Sequence, residues 1–162
     1  MPALSATAQR VQDALDAAGV ATMIVEYDVP ARTSAQAAEV LGCTVGQIAK
    51  SLVFKAQSGR PVLVIASGAN RVDEAKVAAL VGEPIGKADA TFVREATGYA
   101  IGGIPPLGHD RSLHTVVDGS LRRFQTVWCA AGTPNAVFEV RLDDLLAAMP
   151  DADVRDIAAR LD

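Results

Sequence analysis

Aromatic side chains are scarce: four Phe, two Tyr and one Trp make up 4% of the 162 residues. The core must therefore be filled by Val, Leu, Ile and Ala, and with half of the chain apolar there is ample material for it. Long apolar runs are also missing, and none approaches the roughly 20 residues that cross a bilayer. The opening MPALSATAQRVQDAL has no basic segment followed by an apolar one, so no secretory leader is expected. Only two cysteines occur, Cys43 and Cys129, far apart and without CxxC or metal-ligand spacing. That argues against a disulfide scaffold and a zinc cluster and makes a reducing, cytoplasmic setting the default; no metal or other cofactor is expected. Positive charge is not in excess either: the formal charge is −4, which argues against broad non-specific binding of nucleic acid but leaves room for local contact with a few phosphates. Repeats, low-complexity tracts and linkers are absent. A single domain over residues 1–162 is expected, burying roughly 68–70% of its unfolded surface.

What is present reads as a mixture of helices and strands. Residues 5–18 have Val11, Leu15 and Ala18 at helical spacing, and ATMIVEY should follow as a strand. Thr33 caps a helix, SAQAAEVL, that stops at Gly42; Thr44 caps one more turn, which delivers the chain into the strand KSLVFKA. PVLVIAS is apolar without alternation, as a strand covered on both faces would be. DEAKVAALVG starts with acids and ATFVREATG is capped by Asp89, and both end at glycine, so both read as helices. Three strands follow, near HTVVD, QTVWCAA and AVFEV, and LDDLLAAM and DVRDIAARL close the chain as helices. No regular βαβ rhythm emerges. The class is α+β, with helices flanking a mixed, mostly antiparallel sheet.

Two features do not serve a core. Residues 97–109 read TGYAIGGIPPLGH, too rich in glycine and proline for a helix or an interior strand. Without side chains at Gly102 and Gly103, the N–H groups of Gly102, Gly103 and Ile104 can converge on a concavity, while Pro105 and Pro106 stiffen the exit. Such preorganised donors suit a carbonyl that becomes an oxyanion. The plain alternative is a tight connection between two strands. The second feature is Lys50. Strand alternation puts it on the face of Leu52 and Phe54, where an ammonium needs an anion or several acceptors unless its head reaches water at the strand's edge.

Together these features resemble the YbaK/prolyl-tRNA-synthetase-associated domain, an editing domain. The resemblance covers residues 27–146 and rests on QIAKSLVFKA, PVLVIASGANRVDEAKVAALVG, TGYAIGGIPPLGH, HTVVDGSL and the AAG ending at Gly132, in that order. It implies a barrel-like mixed sheet and hydrolysis of the ester joining a wrong amino acid to the terminal adenosine of tRNA, often tRNA for proline. With no synthetase catalytic domain alongside, the chain is similar to the members that edit in trans. The implied partners are the 3′ acceptor end of aminoacyl-tRNA and prolyl-tRNA synthetase, the latter raising local substrate concentration. Lys50 matches the family's strand lysine, and Gly102, Gly103 and Pro106 fall in its glycine loop. Tyr27 matches an aromatic near the pocket in some members, and Ser51 follows the lysine where others carry Thr, Ser or Asn. An activated aminoacyl ester needs only a placed water, a stabilised oxyanion and good orientation. Help from the neighbouring ribose 2′-hydroxyl would fit with the absence of a Ser–His–Asp or Cys–His set. The chain departs from the family in having Gly132-Thr133-Pro134-Asn135 where cysteine editors carry a GKRG-like stretch, in having no histidine there as the alanine editors do, and in Pro105 replacing a frequent serine. The expected substrate is therefore a small or medium aliphatic or hydroxylated residue.

Other residues keep two readings. His109 is a base or phosphate ligand, or a solvated loop histidine. His114 reads as structural, and both cysteines as packing residues. Asp118 ends a strand in a turn or borders the pocket. Lys55, Arg60, Arg71, Arg122 and Arg123 are candidate phosphate contacts or simply solvated. Two other classes of function compete: a non-catalytic module holding a nucleotide or tRNA end, and a hydrolase of another small ester.

Overall fold

A computed structural model describes residues 3–28, 33–111 and 113–159. In chain order its elements are α1 (Ala6–Ala17), β1 (Val25–Glu26), α2 (Ser34–Leu41), β2 (Ile48–Ala56), β3 (Pro61–Ser67), α3 (Glu74–Val81), β4 (Ile85–Lys87), α4 (Ala90–Thr97), β5 (His114–Asp118), β6 (Thr126–Ala130), β7 (Ala136–Arg141), α5 (Leu142–Ala147) and β8 (Asp153–Arg155), with short 3₁₀ turns at Val45–Gln47 and Gly119–Arg123. The helices begin where short polar side chains meet orphan N–H groups. Ser5 accepts from Ala8 at 3.2 Å, Thr33 from Gln36 at 3.1 Å and Asp89 from Phe92 at 2.8 Å. Asp73 accepts from both Ala75 and Lys76. Three helices stop at glycines in the left-handed region, Gly42, Gly82 and Gly98, where a side chain would be strained.

The strands form one eight-stranded sheet with the order β1-β7-β6-β2-β3-β5-β8, and β4 joins β2 off this path. β3 is the centre. Val62, Leu63, Val64, Ile65 and Ala66 are each 0% exposed, because the sheet is packed on both sides. Leu63 and Ile65 face a core with α1, Tyr99, Leu121 and Phe138, while Val62, Val64 and Ala66 face a second core with Val77 of α3 and Ile157. Each fully buried aliphatic side chain contributes about 1.5–3 kcal/mol, so the sheet centre is the most strongly fixed part of the chain.

The mixed sheet expected from the sequence is found, with β2–β3, β2–β4, β1–β7 and β6–β7 antiparallel and β2–β6, β3–β5 and β5–β8 parallel. Three elements differ. The expected strand ATMIVEY is ordered as β only at Val25–Glu26. The EPIGK segment supplies β4, which its Pro and Gly concealed. DVRDIAARL is not a helix in its described part: Asp153–Arg155 pairs parallel to β5, and Ile157 is 0% exposed in the second core. The open edge of β5 thus prevails over a helical spacing of Val154, Ile157 and Ala158.

One detail of β2 positions everything that follows. On the edge away from β3, it pairs with β6 through Ile48 and Ala49, and with β4 through Phe54, Lys55 and Ala56. Between those contacts, residues 50–53 have no strand beside them on that edge among the described residues. The sheet forks there.

Candidate functional site

Two contiguous cavities of about 380 Å³ each occupy the fork, sharing Lys50, Ser51, Leu52, Ile101 and Ile104. The one toward β4 adds Arg71, Lys87 and Glu74, so that three cations and one carboxylate surround it. The one toward β6 adds Ala37, Ala49, Ala130, Pro134 and Val137 with Gly102 at its rim, and it is largely apolar. The glycine loop follows α4 and crosses the open edge of β2, bringing residues half a chain apart to one place.

Lys50 leaves β2 on the face of the second core, and its Nζ donates to the main-chain oxygen of Asn70 at 2.8 Å. Burial pushes the ammonium below the usual lysine range, and the Asp118 carboxylate opposes that shift. Asp118 is only 1% exposed. Its Oδ2 accepts from the Ser67 N–H at 3.1 Å and the Asn70 amide at 3.0 Å, and its Oδ1 accepts from the Ser120 N–H at 2.9 Å. Asn70 therefore bridges the two charges: its amide group holds the carboxylate while its carbonyl holds the ammonium. Asp118 does not line either cavity at the fork; it supports Lys50 from behind. Asn70 was not singled out from the sequence, where it lies inside one of the segments that carry the resemblance.

Ser51 points the other way, and its buried Oγ has no hydrogen-bond partner, the one such side-chain atom among the described residues. Leaving a buried hydroxyl unpaired costs about 1–3 kcal/mol. At the wall of both cavities, that unmet hydroxyl is a feature a bound molecule can satisfy.

The loop itself corrects part of the expectation. The Gly103 N–H does not face the cavity: it donates to the Ala100 carbonyl at 3.1 Å and closes a turn, so Gly103 is not one of the substrate-facing donors. Its missing side chain has another cause. A Cβ at Gly103 would lie 2.7 Å from the Gly132 oxygen. Gly132 in turn donates its N–H to the Gly103 carbonyl at 2.8 Å, holds φ at +100° and is pressed against Thr7 of α1. Gly103 and Gly132 are thus a backbone crossing that anchors the loop. Gly102 differs. It is exposed, with φ at +94° and nothing closer to its Cβ position than Pro134 at 3.8 Å. Among the described residues, the N–H groups of Gly102 and Ile104 meet no acceptor.

Pro105 and Pro106 are buried behind the loop. His109 Nε2 lies 2.6 Å from the Pro105 oxygen, so that nitrogen carries the hydrogen and donates. Burial pushes the imidazole below its usual range, against the Pro105 carbonyl and Asp110, and its ring stands edge-on to Tyr99. His109 is therefore a staple for the loop, not a solvated histidine, and it lines a different cavity, with Pro106, Arg111 and Asp151. The Tyr99 hydroxyl donates to Gly108, and Arg10 of α1 covers the Tyr99 ring while pairing with Asp110 at 2.8 Å. Tyr27 lies outside the fork, tied by its main chain to Asn135 beside α2. Cys129 is buried and its thiol is pushed up to about 12, as expected of a packing residue. No cluster suited to a metal ion occurs among the described residues, and no helix there is long and apolar enough to cross a membrane.

Residues 28–148 match the family of aminoacyl-tRNA editing domains. A Bacillus subtilis (strain 168) protein, the uncharacterized YwhH, is 34% identical over 122 residues, which are 75% of this chain and 78% of that one. Among solved structures, a protein proposed as a trans-editing enzyme for prolyl tRNA synthetase is 43% identical, superposes with a TM-score of 0.91 and covers 98% of this chain and 100% of its own. The hypothetical protein APE2540 is 31% identical with a TM-score of 0.86, over 93% of this chain and 99% of its own. The forked sheet, its lysine and its glycine loop thus sit in a chain that belongs to the aminoacyl-tRNA editing domain family.

Proposed function

We propose that this chain, acting as one domain in the cytoplasm, is a trans-acting deacylase that hydrolyses the ester of a small, wrongly attached amino acid on tRNA, with tRNA for proline as the foremost substrate. The observation that carries the reading is the meeting of Lys50, the unpaired Ser51 hydroxyl and the free N–H groups of Gly102 and Ile104 at two contiguous cavities, one of them bordered by further cations. The terminal nucleotide enters the cationic cavity, with Arg71 and Lys87 near its phosphate. The amino acid side chain enters the apolar cavity against Ala49, Ala130 and Val137. The scissile carbonyl then lies at the fork, where the Gly102 and Ile104 amides meet the oxyanion. One such donor is worth about 2.7–4 kcal/mol in other hydrolases. The Lys50 charge adds to the field that favours that oxyanion.

In the step itself, water oxygen bonds to the acyl carbon, the bond to the ribose oxygen breaks, and that oxygen takes a proton as it leaves. The neighbouring 2′-hydroxyl orients the water and relays its proton, accepting it while passing its own to the departing ribose oxygen. An apolar wall separates substrates differing by one methylene by only about 1–3 kcal/mol, so activity on several small amino acids is expected.

The test is a panel of tRNAs for proline charged with Ala, Ser, Cys, Thr, 2-aminobutyrate or Pro, with wild type beside Lys50→Ala. Turnover of at least one mischarged species, strongly reduced in the variant with its melting point retained, is expected. No turnover of any species would leave a binding module. Equal cleavage of a free amino-acid ester would indicate a different hydrolase.

A further inference from the structure

The β6–β7 ribbon has chemistry at both ends. At one end Ala130 and Val137, which pair with each other, line the apolar cavity of the fork. At the other end Thr126 pairs with Arg141, and a separate hollow of about 280 Å³ is lined by Arg122, Arg123, Phe124, Gln125, Arg141 and Asp143. All three arginines are exposed, and among the described residues none has an ion pair or a side-chain hydrogen bond. The chain has 19 acidic against 15 basic residues, so carboxylates are plentiful, yet none among the described residues is paired with these three. Several other cations are engaged: Arg60 pairs with Glu83, Lys76 with Asp156, Arg10 with Asp110, and Lys55 stands over the Phe92 ring. Three guanidinium groups kept free of carboxylates around one hollow, with Asp143 as the only acid lining it, form a receptor for an anion with several oxygens.

We infer that this cluster is a second, remote contact for RNA phosphates, engaging the acceptor strand upstream of the end held at the fork. The inference rests on the deacylase reading only for which RNA arrives; the site itself is read from the arginines. Five strand residues separate Gln125 from Ala130, or about 17 Å at 3.3 Å per residue. Along one strand of a nucleic-acid duplex, that length corresponds to about five nucleotides at 3.4 Å each. A stacked trinucleotide seated at the fork, about 10 Å long at that rise, does not reach the cluster, whereas a full acceptor stem does. Such an arrangement gives an acidic protein a grip on a polyanion at two places, the fork and this hollow.

The experiment measures binding of uncharged tRNA transcript and of the trinucleotide CCA by fluorescence anisotropy between 50 and 200 mM salt, so it does not depend on turnover. The variant carries Arg122→Gln, Arg123→Gln and Arg141→Gln. Three phosphate contacts contribute a slope of about 2–3 in log Kd against log salt. Wild type should therefore lose about 20- to 40-fold more affinity for tRNA than the variant over that range. CCA should bind both proteins alike. Asp143→Asn, which keeps all three arginines, should tighten tRNA binding by roughly 2- to 5-fold, and this arm stands if the triple variant fails to fold. Equal salt slopes for wild type and variant would overturn the inference, including the case where the cluster grips an acidic protein surface. An equal loss of CCA binding would overturn it as well, because the effect would then come from the fork.

Discussion

Replacing Asp118 by Asn removes one charge while keeping the shape of the side chain, and its consequences can be worked through atom by atom. Oδ2 now accepts from Ser67 and Asn70, and Oδ1 from Ser120. An asparagine keeps its single oxygen toward the first pair, so its NH₂ faces the Ser120 N–H, donor against donor. One part-buried bond is lost and its N–H left facing a donor, a cost of about 1–3 kcal/mol. For a chain of this size that lowers Tm by about 2–12 °C. The second effect is on Lys50. Asp118 is the influence that raises the lysine's proton affinity against burial. With its charge gone the Lys50 pKa falls further, the ammonium is lost at a lower pH, and the alkaline limb of kcat/KM moves down the pH scale. The assay is deacylation across pH, corrected for spontaneous hydrolysis, alongside thermal melting. A lower Tm with an unmoved alkaline limb would refute the coupling of Asp118 to Lys50. An unchanged Tm would refute the hydrogen-bond count.

Three further outcomes follow from the loop and its surroundings. Gly103→Ala places a methyl 2.7 Å from the Gly132 oxygen, so the backbone crossing must open; a loss of about 1–3 kcal/mol in urea unfolding is expected, and an unchanged midpoint would remove the crossing as the reason for glycine. Ser51→Ala deletes a buried hydroxyl with no partner and should raise stability by about 1 kcal/mol while lowering turnover; a stability loss would mean that the hydroxyl was already satisfied. Burial holds the folded His109 pKa below its ordinary value of 6.5, so the unfolded chain binds more protons and stability falls as pH drops below about 6.5 toward the folded pKa. His109→Gln, whose amide still donates to Pro105, should flatten that part of the pH–stability curve, as chemical denaturation at pH 5 and 7.5 would reveal.

What could be read from the sequence was what local chemistry decides. Thr33 and Asp89 cap helices, and Asp73 starts one, because a short polar side chain can reach N–H groups two or three residues on, a property of the chain alone. β3 was legible because an apolar run without alternation has few other uses. The last segment was misread because Val154, Ile157 and Ala158 suit a helix locally, and only the vacant edge of β5 makes them sheet. The resemblance brings Lys50 and Gly102 together. It could not separate Gly102, which is open to the cavity, from Gly103, whose N–H is taken, because both are simply glycine in the string. Asn70 was hidden for a related reason: its role rests on a main-chain carbonyl, which every residue has, and on a partner 48 positions away.

The fork in the sheet has a consequence for how such a protein can change. Its aperture is framed by β4 and β6, which hold β2 at either end and hardly touch its middle. Lengthening or shortening the segments that lead into those two strands would widen or narrow the mouth as a hand opens its fingers, with the palm, β2 against β3, undisturbed. New tastes in cargo can thus be acquired at the frame while the hydrophobic interior is inherited intact.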